Sequence, residues 1–576
     1  MASPRLIEKA RRRLTVETGV RSNPWGGRLS VALVFPNTYH QAMSNLGFLT
    51  VYRLLNSRDD TLAERFFLPD PEDLKEHQRT KTPLFSLESG RPLSDFDLVA
   101  FSISFENDFL NLPVLFELGR LPLMRAQRNA WHPLVICGGV CAFLNPEPLA
   151  DIIDLFVVGE GEVILPALLE GLLATEGMDR PELLGRLAKV QGCYVPSAYV
   201  VEAMPDGNLI AGPPLGDAPQ RVRRQWLADL DASPTGSDIL TEETEFSDMY
   251  LAEVSRGCSR GCRFCAAGYI YLPPRERGLS SLTDQVETGL CQRRRIGLVG
   301  AAVSDYSQLE ALNAEILNRE GEISVASLRI DSLTAAEVEA LKAAGHRTLA
   351  LAPEAGSQRM RDLINKQLSR DQILAAVDLL GEKGILNLKL YFLIGLPGET
   401  HADIEEMVDL VVEIRDRWLA HGRSLGRIGN LLLSVNPFIP KPSTPFQWAP
   451  MAEMRVLKRT LKYLQQQIGR LPNTELHHES LRAARLQGAL ARGDRRFGQL
   501  LPELAAGKSL ESCCADVGLD LAGMLHRQRP EKTRFPWEIL DIGVSRDYLW
   551  REYRRALDGL KTPPCRPGCR RCGICH

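Results

Sequence analysis

The sequence predicts an α/β chain in three parts. These are an N-terminal doubly wound (Rossmann-like) parallel sheet, a central partial (βα)6 barrel, and a mostly helical C-terminal region with a cysteine-rich tail. Three observations predict it. Short apolar, β-branched runs alternate with stretches of helical period from about residue 28 to 173. A second series of six strand candidates, with amphipathic helices between them, begins near Met249. After Pro450 the strand signal gives way to helical spacing.

The elements follow in order. Residues 1–27 form a charged extension. Residues 29–35, LSVALVF, read as a buried strand, with helical spacing over 46–55 and further strands at 96–103, 133–137 and 155–158. This sheet region is set at 28–175. Residues 176–245 carry scattered Pro and Gly, and Gly207 with Gly212-Pro213-Pro214 predicts a hairpin and linker. The barrel is set at 246–450, with strands at 251–254, 297–299, 323–326, 348–351, 388–393 and 431–435. Helices are expected between them, for example at 335–344 and 401–418. Its site is expected at the C-terminal ends of the strands. Residues 451–560 read as helical, over 453–471 and 479–490, and 561–576 as a metal-binding tail.

Composition excludes little beyond extremes. In 576 residues, 44% apolar and 24% charged side chains describe an ordinary globular chain, and a net charge of −3 gives no global pull toward polyanions. The distribution is uneven: residues 451–576 hold 23 Lys and Arg against 14 Asp and Glu, or +9, leaving −12 elsewhere. That basic region could meet RNA, although a solvated helical surface accounts for it more simply. The start lacks the apolar core of a secretion signal, and no apolar run approaches 18 residues, so no membrane span is expected. Thirteen cysteines in metal-like spacings, rather than a disulfide framework, suggest a reducing cytoplasm.

The chemistry concentrates in Arg256-Gly257-Cys258-Ser259-Arg260-Gly261-Cys262-Arg263-Phe264-Cys265. Three thiolates at this C-x3-C-x2-C spacing can hold three irons of a 4Fe–4S cluster and leave the fourth iron open, where a substrate or cosubstrate binds. The glycines let the loop wrap closely, and the arginines set positive charge beside an anionic cluster. A zinc knuckle would want a fourth Cys or His nearby, and the next cysteine is Cys291. The loop follows the first barrel strand, at the expected end. A second group, Cys565, Cys569, Cys572 and Cys575, packs four thiols into 11 residues. A second 4Fe–4S cluster or a zinc ion accounts for it, with Arg566, Arg570 and Arg571 offsetting the charge. Cys137, Cys141 and Cys193 read as core residues, and the Cys513-Cys514 pair as packing.

The loop and the motifs after the later strands resemble the radical S-adenosylmethionine (radical SAM) superfamily, over about 251–448. The resemblance implies a cluster whose open iron chelates S-adenosylmethionine, and an electron donor of flavodoxin or ferredoxin type. The cleavage it implies yields a 5′-deoxyadenosyl radical, which abstracts hydrogen from substrate. It places Phe264 beside the adenine and Ser304 and Asp305 at the cosubstrate ammonium. Arg329, in Ser327-Leu328-Arg329, falls at the cosubstrate carboxylate, where a guanidinium fork fits. Glu354, in Pro353-Glu354-Ala355-Gly356-Ser357, falls at the ribose hydroxyls. Ile394 opens the Ile394-Gly395-Leu396-Pro397-Gly398-Glu399-Thr400 turn near the adenine. Turn chemistry or helix capping is the competing reading of each of these positions, with the functional one favoured at Arg329 and Glu354.

The N-terminal region resembles the cobalamin-binding domain that precedes many such cores. Gly138 and Gly139 follow a strand, and Gly159-Glu160-Gly161-Glu162 follows another; glycines there let backbone approach a macrocycle or its nucleotide tail. The cobalt-ligating Asp-x-His-x-x-Gly of many cobalamin proteins is missing. Asn37, Tyr39 and Ala42 stand in its positions, and His40 is off by one. The whole chain is similar to a little-characterised family of this architecture, through Met43-Ser44-Asn45-Leu46-Gly47, Cys265-Ala266-Ala267-Gly268, 352–366, 440–448, 536–544 and the tail.

The expected activity is cobalamin-dependent methyl transfer to an unactivated carbon. The alternative is a cobalamin-independent radical modification, such as sulfur insertion, and the reading from another class is a non-catalytic iron–sulfur scaffold. RNA or a protein is the favoured substrate.

Overall fold

The computed structural model describes residues 3–174, 177–325, 329–343, 345–566 and 568–575. The chain divides into two compact units. One comprises Met1–Tyr250, Ala489–Leu521 and Thr533–Ile542; the other comprises Leu251–Gly488, Ala522–Lys532 and Gly543–His576. The C-terminal region is therefore not one helical domain: two of its pieces belong to the first unit.

In the first unit a six-stranded sheet runs β2-β1-β3-β4-β5-β6. Its strands are β1 Leu29–Phe35, β2 Thr61–Phe67, β3 Leu98–Ser102, β4 Leu134–Gly138, β5 Leu155–Val157 and β6 Cys193–Tyr194. All ladders are parallel except β5–β6. β1 is buried from Ser30 onward, as a strand covered on both faces must be. The expected strands are present. β2 escaped the sequence reading because Glu64 and Arg65 interrupt its apolar run. Both are buried and paired: Arg65 reaches Glu17 at 2.6 Å and Glu88 at 2.7 Å, and Glu64 accepts the Trp25 indole N–H at 2.7 Å. The charged extension is a helix, Pro4–Val16, tied down by Lys9 to Asp73 and Arg13 to Glu243. The hairpin expected at Gly207 joins β7 Tyr199–Ala203 to β8 Leu209–Pro214.

In the second unit the barrel strands are β9 Met249–Glu253, β10 Arg295–Val299, β11 Glu322–Val325, β12 Thr348–Glu354, β13 Asn387–Ile394, β14 Leu431–Pro437 and β15 Thr474–His477. They form a three-stranded sheet, β9-β10-β11, and a four-stranded sheet, β12-β13-β14-β15. β15 is a seventh strand, parallel to β14, lying where the sequence reads as helical. The barrel therefore runs past residue 450, through helix Met454–Ile468. Burial alternates strictly along β13 and β14. Their buried face packs under helices Arg370–Glu382 and His401–Ser424; the other, partly open face is the barrel interior. Ala326, Ser327, Leu328 and Ala344 of the sequence reading lie outside the described residues. No helix among the described residues is long and apolar enough to cross a membrane.

Candidate active site

The cysteine loop is an excursion between two antiparallel rungs, Ser255↔Glu276 and Arg256↔Arg275, so its ends are pinned together. Gly257 starts it at φ 90°, where a Cβ would lie 2.5 Å from the Tyr271 carbonyl oxygen. Only glycine fits that approach. Within the loop Cys265 N–H donates to the Cys262 carbonyl (3.1 Å) and Gly268 N–H to that of Cys265 (3.2 Å).

The bracing comes from behind. Arg263 is fully buried and donates to the Leu363 and Leu560 carbonyls, at 2.9 and 2.6 Å, and to the Glu552 carboxylate. Asn365, in a left-handed turn at φ 56°, donates to the Gly261 and Thr562 carbonyls, both at 3.1 Å, and accepts the Thr562 N–H at 2.9 Å. Asn tolerates that conformation and can bond backbone on both sides. Loop, turn and chain end are thus one assembly.

Burial pushes the Cys262 thiol up to about 12, against the pull of Lys366 and with Cys265 and Cys258 adding to it. Cys265 is raised for the same first reason, with its backbone hydrogen bonds opposing. Such thiols stay neutral until a cation replaces the proton. Among the described residues, no three His, Cys, Asp or Glu converge on one point that could hold a single metal ion.

Two charge groups border the loop. Arg260, from the loop itself, makes a forked pair to Asp305 at 2.5 and 2.9 Å and reaches Asp331 at 3.5 Å. Arg329 donates to Asp331 at 2.7 Å and lies 3.4 Å from Asp305. Arg329 and Asp305 are therefore present at the expected strand ends, yet already engaged with each other and with Arg260 and Asp331. The second group is Glu354 and Lys366, at 3.2 Å. Glu354 ends β12 at φ 66°, a left-handed conformation rare for Glu, after a register shift against β13. Burial raises its carboxyl despite Lys366.

Other expected site residues fall elsewhere. Residues 303–305 form a 3-10 turn that sends Asp305 toward Arg260 and Ser304 away from it. The Ser304 hydroxyl opens into a small cavity with Leu309, Asn313 and Ile323 and has no partner among the described residues. Ile394 is fully buried on the packed face of β13, with Leu390 and Phe392, and its carbonyl accepts the Phe438 N–H at 2.8 Å. Phe264 is half-buried between Cys262 and Cys265. Sequence reading missed Lys366, Asp331, Asn365 and Thr562. Asn365 and Lys366 fall within the 352–366 signature, which assigns them no role, and Asp331 and Thr562 are marked only by proximity to Arg329 and to the tail.

The tail cysteines reach this assembly. Cys565 N–H donates to the Ser259 carbonyl at 2.6 Å, and Cys565, Cys569 and Cys572 line one open cleft with Cys258, Tyr269 and Tyr548. Arg571 Nε lies 3.1 Å from the Cys569 sulfur. That hydrogen bond, ahead of other causes, holds the Cys569 thiol below its usual range.

In the first unit the residues expected at a corrin are used by the fold. A Cβ at Gly139, φ 90°, would lie 2.5 Å from the Ile103 carbonyl oxygen; one at Gly159, φ 129°, would lie 2.1 Å from that of Gln225. Glu160 N–H donates to the Gln225 carbonyl, and the Glu160 carboxylate accepts the Leu227 N–H at 2.9 Å. A Cβ at Gly161 or at Gly138 would meet only ordinary van der Waals neighbours, Leu165 and Val51 at the first and Val157 at the second. The segment after β4 is closed by Arg495 on Glu147 at 2.8 Å and by Asn145 on the Gly493 carbonyl, also at 2.8 Å. Here these residues hold the chain's own segments 225–227 and 491–495.

Comparisons with known proteins agree with the cysteine site. Residues 252–411 match the family model described as radical SAM superfamily, and 47–196 match radical SAM proteins, N-terminal. The uncharacterized protein MJ0966 of Methanocaldococcus jannaschii is 28% identical over 477 residues, 82% of this chain and 90% of that protein. The anaerobic magnesium-protoporphyrin IX monomethyl ester cyclase of Rubrivivax gelatinosus is 25% identical over 51% of each chain. The ribosomal protein uS12 methylthiotransferase RimO of Thermotoga petrophila is 25% identical over 33% of this chain and 52% of its own. The matches thus span about half the length of these last two. Among solved structures, the cobalamin-dependent radical enzyme OxsB gives a TM-score of 0.43 at 17% identity, covering 66% of this chain and 52% of that one.

Proposed function

The chain belongs to the radical SAM superfamily through residues 252–411, and on that premise we propose that it cleaves S-adenosylmethionine reductively and turns the resulting radical on an RNA or protein substrate. The observation that carries the reading is the braced cysteine loop with a paired set of charges at its border. Cys258, Cys262 and Cys265 would hold the 4Fe–4S cluster. Bound there, the cluster supplies the electron that breaks the sulfonium C–S bond.

The chain's own groups do the positioning. Arg329 exchanges its bond to Asp331 for the cosubstrate carboxylate, a fork-to-fork substitution that keeps the guanidinium satisfied. Asp305 accepts the cosubstrate ammonium while Arg260 holds its second oxygen. Glu354, kept in place by Lys366, accepts ribose hydroxyls. The partly open strand face beyond, with Lys389, Tyr391 and Ser434, meets the substrate. The Lys389 ammonium lies 4.8 Å from the Tyr391 ring centre, a cationic and aromatic pair suited to a base or an acidic group.

Methyl transfer through cobalamin is the finer reading of the N-terminal sheet, and the geometry of Gly139, Gly159 and Glu160 favours its alternative, a cobalamin-independent modification. The tail cysteines supply a second metal centre, and a one-electron donor of flavodoxin or ferredoxin type supplies reductant. Anaerobic protein, reduced and mixed with S-adenosylmethionine, should release 5′-deoxyadenosine and methionine, and Cys262→Ala should not. An iron-loaded wild type that releases neither product would make the chain a scaffold.

A further inference from the structure

We propose that Cys565, Cys569, Cys572 and Cys575 hold a second iron–sulfur cluster that relays one electron to the cluster of the Cys258 loop across the Cys565–Ser259 contact. The inference rests on the proposed radical SAM chemistry and adds to it a route for the electron.

Three observations lead there. The first is adjacency. The Cys565 N–H to Ser259 carbonyl bond, at 2.6 Å, joins the backbone of a tail ligand to the residue next to Cys258. The path from Cys565 to the Cys258 sulfur is therefore covalent but for one short hydrogen bond. Cys258, Cys565, Cys569 and Cys572 also share one cleft, with Tyr269 and Tyr548 as its aromatic walls.

The second is a donor set shaped for sulfur. Arg571 donates from Nε to the Cys569 sulfur at 3.1 Å and from Nη2 to the Pro563 and Pro564 carbonyls at 2.8 and 2.9 Å. The fork thereby folds the Pro563-Pro564-Cys565 segment back over Cys569. Its remaining nitrogen, Nη1, is buried and has no partner among the described residues. A buried guanidinium N–H with no acceptor is costly. The inorganic sulfides of a cluster are acceptors of the right charge, and hydrogen bonds to cluster sulfurs tune its potential.

The third is placement. The tail is held as part of the loop's own frame: Ser545 N–H donates to the Cys572 carbonyl at 2.8 Å, and Thr562 bonds Asn365, which also holds Gly261.

The electron balance is simple. The external donor reduces the tail cluster from the 2+ to the 1+ state. The tail cluster returns to 2+ as the loop cluster goes from 2+ to 1+. That electron enters the sulfonium, and the S–C5′ bond parts into methionine and the 5′-deoxyadenosyl radical; no proton moves.

The experiment uses the full chain, reconstituted anaerobically, as wild type, as Cys569→Ala/Cys572→Ala, and as Cys258→Ala/Cys262→Ala/Cys265→Ala. Iron, sulfide and zinc are counted, and electron paramagnetic resonance spectra are taken after reduction. Each variant should hold half the iron of wild type. The fully reduced wild type should show a spectrum broadened by two interacting spins, each variant an unbroadened signal, and S-adenosylmethionine should alter the signal only where Cys262 is present. Equal iron in wild type and tail variant, zinc in the tail, or two non-interacting signals would overturn the relay while leaving the cosubstrate response intact. Should the tail variant fail to fold, the loop variant still decides, because it must retain the tail cluster and half the iron. Loss of the S-adenosylmethionine response in iron-loaded wild type would instead sink the radical SAM reading.

Discussion

Lys366 Nζ stands 3.2 Å from Glu354 Oε1, and the same ammonium is the group that most opposes the rise of the Cys262 thiol. One lysine therefore serves both the Glu354 carboxylate and the Cys262 thiol. Glu354 combines a left-handed backbone with a carboxyl that burial raises, and Lys366 is the cation that opposes the rise. Lys366 reaches it because residues 364–367 turn back through two left-handed positions, Asn365 and Gln367.

Replacing Lys366 by Met keeps the stem and removes the charge. Glu354 is then buried unpaired, at a cost of about 1–3 kcal/mol, read as a lower denaturation midpoint. Iron incorporation at the loop should fall as well, because Cys262 loses the cation that favours its thiolate. Lys366→Arg should restore stability more than iron content, since a guanidinium is bulkier at the same stem length. Unchanged iron in Lys366→Met would show that the lysine serves Glu354 alone.

Arg263 makes a separate prediction. It is fully buried and joins the loop to Leu363, Leu560 and Glu552. Arg263→Ala leaves buried Glu552 with only the Thr562 hydroxyl and the more distant Arg555, so a loss below the roughly 3–5 kcal/mol of a fully broken buried pair is expected. A double variant with Glu552→Gln should recover part of that loss, as a coupled pair does. Additive losses would mean that the carbonyl contacts, not the ion pair, carry the bracing.

Much of this was legible in the sequence and some could not be. The three loop cysteines, the strand before them and the strand–helix series announce themselves by spacing and period. β2 and β15 do not, because buried Glu64 and Arg65 break one run and β15 is short, with Glu475 and His477 exposed. The N-terminal glycines were legible as close approaches, but not as approaches to what. A positive φ at Gly159 fits a ligand or Gln225 equally, and only the fold shows Gln225 there. Tail and loop lie some 300 residues apart, so no local pattern can pair Cys565 with Ser259.

Glu399 gives a pH signature. Burial lifts its carboxyl to about 8, against the Gly395 N–H that it accepts at 2.6 Å. A carboxyl whose folded value lies above its ordinary one favours the fold while protonated. Its contribution is complete below about 4.5, is lost as pH rises toward 8, and is flat above. A tenfold change in proton affinity is about 1.4 kcal/mol. Glu399 keeps some contact with water, so a loss of about 2 kcal/mol is expected rather than the full amount. Glu399→Gln still accepts the Gly395 N–H and cannot ionise. Denaturant midpoints of the two proteins should coincide near pH 5 and separate by pH 8.5, with Gln the more stable. Parallel curves across that range would mean that Glu399 is not held neutral.

The corrin question has the plainest readout. A macrocycle laid on the ends of β4 and β5 would need Gly139, Gly159 and Glu160 to face it, yet each is spent on Ile103, Gln225 or Leu227. Making room would mean stripping segment 225–227 from Gly159 and Glu160 and then burying the same backbone groups against the ligand. Each unpaired buried N–H or carbonyl would cost about 1–3 kcal/mol. Protein incubated with hydroxocobalamin and passed through gel filtration should therefore show an iron–sulfur shoulder without corrin bands. Gly159→Ala should unfold more readily than wild type, because its Cβ meets the Gln225 carbonyl oxygen at 2.1 Å and Ala resists φ 129°. Corrin bands that persist at one equivalent in wild type would overturn this reading. Their loss in Gly159→Ala would place the corrin where segment 225–227 now lies and return methyl transfer to the front.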